Sequence, residues 1–119
     1  MQIKSHDINT IKIAEVVSDK IFIQSAQDGL DLLGDIYYQG FDKVIIYEEN
    51  ITPEFFDLKT KIVGDILQKF SNYRVGLAIV GDFEKYPGKS IRDFIFESNK
   101  TRHINFAETL EEALERLGK

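Results

Sequence analysis

Two apolar runs of strand length, each set between segments of helical periodicity, constrain this fold more than any other feature of the chain. Lys43–Tyr47 reads KVIIY and residues 75–80 read VGLAIV. A strand with one face in water alternates apolar and polar side chains, whereas a strand apolar throughout is covered on both faces. Helices crossing over between parallel strands provide that double cover. The two runs are therefore expected to be central strands of a mostly parallel sheet.

The remaining segments fit this frame. Residues 3–8 and Ile11–Val17 are rich in β-branched side chains, and Asn9-Thr10 between them predicts a hairpin turn. Residues 21–23 form a short further strand or a continuation of the hairpin. Ser25 is an expected N-cap, with Asp28 three residues on, for a helix carrying Ala26, Leu30, Leu33 and Tyr37 and ending at Gly40. Thr52-Pro53-Glu54 has the composition of a helix start, and Phe55, Ile62, Val63, Ile66, Leu67 and Phe70 predict one long helix behind it. Gly64 lies inside that stretch, where it costs about 1 kcal/mol relative to alanine, so close packing is expected there. Pro87-Gly88 marks a turn, Ser90 an N-cap for a helix with Ile91, Phe94 and Ile95, and Ile104–Ala107 a last strand. Thr109 and Glu112 form a capping box before Ala113, Leu114 and Leu117, with Gly118 at the end. The order β-hairpin, α, β, α, β, α, β, α predicts an α/β fold over residues 1–119, a single domain: a mixed, mostly parallel sheet with an N-terminal hairpin and about four helices.

Composition narrows the function classes. Hydrophobic residues make up 43% of the 119 positions and charged residues 29%, enough for a packed core and too apolar for disorder. The net charge of −5 argues against nucleic acid and anionic membranes as partners, since both demand excess Lys and Arg. With no cysteine and two histidines, thiolate chemistry and a histidine-rich metal site cannot be built within one chain. No apolar run approaches the ~20 residues of a membrane span, and residues 1–4 do not begin like a secretory leader, so a cytoplasmic location is expected. No cofactor is implied.

Residues 48–60 (EENITPEFFDLKT) resemble the hallmark segment of the bacterial domain of unknown function 4180 family. So do residues 66–70 (ILQKF), 78–83 (AIVGDF) and 92–95 (RDFI). The resemblance covers nearly the whole chain, and the family implies no activity. The element order also resembles the STAS fold of anti-sigma-factor antagonists. That resemblance implies a regulatory, non-enzymatic domain with a phosphoacceptor at the start of the helix after the third strand, where this chain has Thr52 in place of the Asp-Ser-type motif.

The side chains themselves offer several candidates. A phosphate on Thr52 would meet free N–H groups at a helix start, with Glu48, Glu49 and Glu54 opposing the added charge. Glu48, Glu49, Thr52, Pro53, Phe55 and Phe56, with Tyr86-Pro87 nearby, form the expected interaction surface for an unidentified protein partner. The adjacent pairs Tyr37-Tyr38 and Phe55-Phe56, together with Phe94 and Phe96, cannot all face one core. Tyr38, Phe56 or Phe96 is thus expected to be exposed at an interface, a homodimer included. Glu48, Glu49, Asp82, Glu84 and Glu108 follow the strands at the sheet's carboxyl edge, where open α/β sheets bind ligands. Of these, Asp82, Glu84 and Glu108 are the candidate ligand acids for a small molecule, for Mg²⁺ or for acid–base chemistry. Gly88-Lys89-Ser90 ends like a phosphate-binding loop, but Phe83 stands where that motif needs glycine. Neither His6 nor His103 sits in a catalytic motif, and the basic residues from Lys85 to Arg102 are interrupted by acids. No catalytic residue is assigned.

Overall fold

Residues 1–86, 88–102 and 104–119 are described by a computed structural model; Pro87 and His103, which figured in the turn, interaction-surface and histidine readings, lie outside them. The strands are β1 (Gln2–Ile8), β2 (Ile11–Val17), β3 (Lys43–Tyr47), β4 (Gly76–Val80) and β5 (Ile104–Ala107). The helices are α1 (Ala26–Tyr38), α2 (Ile62–Asn72), α3 (Lys89–Thr101) and α4 (Leu110–Leu117). The sheet runs in chain order, β1-β2-β3-β4-β5. Its first pair is antiparallel and the other three are parallel. The expected architecture, a mixed and mostly parallel sheet opened by a hairpin and served by four helices, is the one observed.

Right-handed crossovers that all step in the same direction across the sheet place their connecting helices on one face. On that face Leu32, Leu33 and Ile36 of α1, Val63, Ile66 and Phe70 of α2 and Ile91 of α3 pack against Ala14, Val16, Val44, Ile46, Leu77 and Ile79. The opposite face holds a smaller core. Ile13, Ile45, Ala78, Val80 and Ala107 meet Ala113 and Leu117 of α4. Successive strand residues alternate between these two layers, which is why Val44, Ile45 and Ile46 are apolar in succession.

Local chemistry sets the ends. The Asp28 N–H donates to Ser25 Oγ at 3.3 Å, and Asp28 Oδ2 accepts from the Gln24 N–H at 2.9 Å. Thr109 Oγ1 accepts from the Glu112 N–H at 3.1 Å. Asn9 and Thr10 both take positive φ, 51° and 67°, the geometry that makes a two-residue turn match the twist of its strands.

Several expectations are corrected. No long helix starts at Thr52. Residues 53–56 and 58–60 form two short 3-10 turns, and Lys61, at φ 62°, separates them from α2. The reason lies in Phe55 and Phe56, which are 1% and 5% exposed. In a continuous helix they would point about 100° apart; the broken backbone aims both rings inward. Gly64 is not packed at all, since a Cβ there would meet nothing within 4 Å. The tightly packed glycine is Gly29, where a Cβ would lie 2.6 Å from Ile66 Cδ1. Gly88, not Ser90, is the N-cap of α3. Of residues 21–23, only Ile23 pairs, through a single bridge to Ile51.

Candidate functional site

The carboxyl ends of β3, β4 and β5 deliver Glu48, Gly81 and Glu108 to one edge of the sheet. There the Gly81 N–H donates to the Ala107 carbonyl at 3.0 Å. Gly81 is required because a Cβ at that position would collide with Cβ of Glu48. The Glu48 carboxylate therefore lies across the start of the β4–α3 loop and holds it. Its Oε2 accepts from the Tyr86 hydroxyl at 2.7 Å, and its Oε1 pairs with Lys85 Nζ at 2.5 Å. Tyr86 stacks on Phe56 with centroids 4.3 Å apart, and Phe56 also meets Phe55 at 4.9 Å and Phe83 at 5.9 Å. Burial and the bond to Glu48 push the Tyr86 hydroxyl above the ordinary tyrosine range.

Beyond this pinned loop opens a cleft of about 490 Å³, lined by Asp82, Phe83, Glu84, Arg92, Ile95, Asn99, Phe106, Ala107, Glu108 and Glu112. Its floor is apolar, with Phe83 edge-on to Phe106 at 5.1 Å. Its rim is acidic. Asp82, Glu84 and Glu108, 26 residues apart at the extremes, also line an adjoining recess together with Gly81. Three polar groups at the cleft already make hydrogen bonds within the fold, the first being Asp82, whose Oδ1 accepts from the Glu84 N–H at 3.1 Å. Asn99 accepts from the Phe106 N–H at 2.7 Å and donates to the Phe106 carbonyl at 3.2 Å, standing in for a neighbour strand along the open edge of β5. Glu112 accepts from the Glu108 N–H at 2.9 Å and from Arg116 at 3.2 Å. Arg92, by contrast, has no ion pair among the described residues.

The structure thus brings together the three expected ligand acids, Asp82, Glu84 and Glu108. It does not make them a metal centre, since among the described residues no three acidic or histidine side chains gather closely enough to hold a cation.

The expected interaction segment fares differently. Glu48, Phe55 and Phe56 are buried, at 8%, 1% and 5% exposure, so they support the loop from within instead of presenting a surface. Glu49 and Pro53 are exposed and Thr52 is half-buried. The Thr52 N–H is bound to the Ile23 carbonyl at 2.8 Å, and its side chain caps nothing. Of the aromatics expected outside, Tyr38 (93%) and Phe96 (67%) are exposed and Phe56 is not. Lys89 and Ser90 open α3 as exposed residues.

A second polar cluster escaped the motifs. Glu15 points to the α4 side of the sheet yet is only 5% exposed. It accepts from the Tyr47 hydroxyl at 2.5 Å and pairs with His6 Nε2 at 2.9 Å. Burial alone would raise the Glu15 pKa; the bonds to Tyr47 and His6, with Lys4 nearby, outweigh it and hold the carboxyl below the ordinary range. Burial and Glu15 push Tyr47 upward. The signal in the sequence is Glu15 itself, an acid set within the apolar half of Ile11–Val17. Its partners come from β1 and β3 and could not be read from spacing.

Neither a curated protein nor a solved structure matches the chain. A family model described as Domain of unknown function (DUF4180) matches residues 8–117, and the chain belongs to that family.

Proposed function

We propose that this chain is a non-catalytic, regulatory binding domain of the cytoplasm whose recognition site is the cleft beyond β4 and β5, and that its ligand carries a cationic group, ammonium or guanidinium. One observation carries the reading: Asp82, Glu84 and Glu108 form an acidic rim over an apolar floor of Phe83, Ile95 and Phe106. Carboxylates facing a partly dry floor attract a cation more strongly than carboxylates in open water, and the rings accept its carbon body. Arg92 offers a partner for an anionic end, so an amino-acid-like zwitterion or a basic peptide suits the cleft. A polyanion such as a nucleotide would be repelled by the rim. Ligands in α/β sheets favour this edge of the strands.

The regulatory half of the reading is supported by the resemblance in element order to anti-sigma-factor antagonists and by the loop itself. Residues 82–84 line the cleft, and Lys85 and Tyr86 just beyond them are pinned by Glu48. A ligand pressing on one end of so short a loop bears directly on the other.

Thermal unfolding against free arginine, free lysine, spermidine, Mg²⁺ and ATP tests the reading. A ligand present at about 100 times its Kd stabilises the folded state by about 2.7 kcal/mol. The cationic compounds are expected to raise Tm, and the Asp82→Asn/Glu108→Gln variant is expected to lose that rise. Absence of a shift with all three cationic compounds, or a shift unchanged in the variant, refutes it.

A further inference from the structure

The outer face of α1 and α2 is the part of the surface that the fold itself does not explain. Tyr37, Tyr38 and Tyr73 stand there 57%, 93% and 53% exposed, with the Tyr37 and Tyr73 rings edge-to-face at 5.4 Å. Between the helices runs a groove of about 340 Å³, lined by Leu30, Leu33, Gly34, Tyr37, Lys69 and Tyr73. Gly34 is exposed in the middle of α1, and a Cβ there would meet nothing within 4 Å. Glycine at an interior helix position costs about 0.8–1 kcal/mol relative to alanine, and no neighbour among the described residues requires it.

The charges on this face are segregated. Helix α1 carries Asp28, Asp31 and Asp35 and no basic residue. Helix α2 and its flanks carry Lys61, Lys69 and Arg74 against a single acid, Asp65. A surface divided into an acidic and a basic half is complementary to a copy of itself turned about a two-fold axis.

We propose that this face is the interface of a two-fold homodimer in which α1 of one protomer lies over α2 of its partner. The two helices run side by side in the same direction, since Gly29 meets Ile66 at one end and Tyr37 meets Tyr73 at the other. An axis parallel to the helices and midway between them exchanges α1 with α2 and preserves height along the groove. Asp31 and Asp35 then come level with the partner's Lys69, the tyrosines close over the axis, and Gly34 admits close approach of the facing helix. Segregation matters because the protein as a whole carries a charge of −5, which opposes association anywhere the charges are not paired.

The footprint sets the strength. Helix α1, of 13 residues, is about 20 Å long, and two helices packed at 8–10 Å present a face of about 400 Å². That is about half the ~800 Å² per partner of a standard stable interface, which puts the dimer in the weak, transient class.

Sedimentation equilibrium from about 10 µM to about 1 mM tests it with four samples: wild type, Asp31→Lys/Asp35→Lys, Lys69→Glu, and an equimolar mixture of the two variants. All three substituted positions are exposed, and far-UV circular dichroism checks that each variant folds. The wild type is expected to dimerise, more weakly as salt rises from about 50 to about 500 mM. Each variant alone is expected to associate at least about tenfold more weakly, because acid then faces acid or base faces base. The mixture is expected to recover wild-type association as a heterodimer, since each substituted half then meets its opposite. A wild type that stays monomeric at about 1 mM overturns the proposal, as does a dimer unaffected by the substitutions or variants whose mixture does not recover.

Discussion

Replacing Phe56 by alanine separates two views of the segment after β3. If this ring stood on the surface, its loss would change stability by no more than about 0.5 kcal/mol. In the structure it is 5% exposed and touches Phe55, Phe83 and Tyr86, with the Tyr86 ring stacked at 4.3 Å. Truncating a phenylalanine in such a place costs about 3–5 kcal/mol, from lost transfer free energy and from the cavity its aromatic neighbours cannot fill. A domain of this size has a total stability of about 5–15 kcal/mol, so the variant would be marginal. In urea, with a slope of about 2 kcal/mol per molar, the midpoint is expected to fall by roughly 1.5–2.5 M with the slope unchanged. The more conservative Phe56→Leu keeps most of the volume and is expected to lose about 1–2 kcal/mol, which keeps the measurement usable should the alanine variant not fold. Because Phe56 supports Tyr86, the alanine change is also expected to free the 81–86 loop, seen as faster amide exchange there than in β3. A midpoint shift equivalent to less than about 0.5 kcal/mol refutes the reasoning and returns Phe56 to the surface.

Four further outcomes are expected. Gly64→Ala should raise stability by about 0.4–1 kcal/mol in urea unfolding, since the methyl group meets nothing, whereas Gly29→Ala should not, because its methyl runs into Ile66. Thr10→Gly should stabilise by about 0.5–1 kcal/mol in the same assay, because a β-branched residue at φ 67° is strained and glycine is not. For pH, Tyr47 and Tyr86 are both held above the ordinary value of 10.0, chiefly by burial and then by Glu15 and Glu48. The folded state keeps these protons longer than the unfolded chain, so their contribution is complete below pH 10 and is lost as pH rises beyond it. Lys43, lowered by burial from 10.5, acts in the opposite sense, and above about pH 11 only the tyrosine effect remains. Stability measured from pH 8 to 11.5 should therefore fall at the alkaline end, and Tyr47→Phe should flatten that fall; an unchanged slope would remove Tyr47 from the account. The depressed Glu15 carboxyl adds stability above the ordinary value of 4.5 that is lost as pH falls through its folded value.

Local chemistry is legible in a linear sequence when the interacting groups are neighbours in it. Ser25 with Asp28, Thr109 with Glu112 and the Asn9-Thr10 turn each act over three or four residues, and all three are where the residue types placed them. The apolar runs of β3 and β4 announced double-sided burial because alternation is a property of a single strand, and parallel order followed from the helical segments between them. The expected convergence of Asp82, Glu84 and Glu108 came from the same source: once parallel strands are known, residues just past their ends must share an edge.

What the sequence could not contain was the outcome of competition between distant groups. Thr52-Pro53-Glu54 has the composition of a helix start, but Phe55 and Phe56 both find space in the core, and burying two large rings outweighs one more turn of helix. Glu48 reads as a loop acid by its neighbours; it is a buried anchor because Gly81, 33 residues on, leaves room for it and Lys85 and Tyr86 return to meet it. Glu15 is held by His6 and Tyr47 across three strands. In each case spacing along the chain says which backbone shape is locally cheapest, while burial and hydrogen-bond satisfaction depend on which side chains the folded sheet brings within a few ångströms, and the second, being larger in free energy, decides.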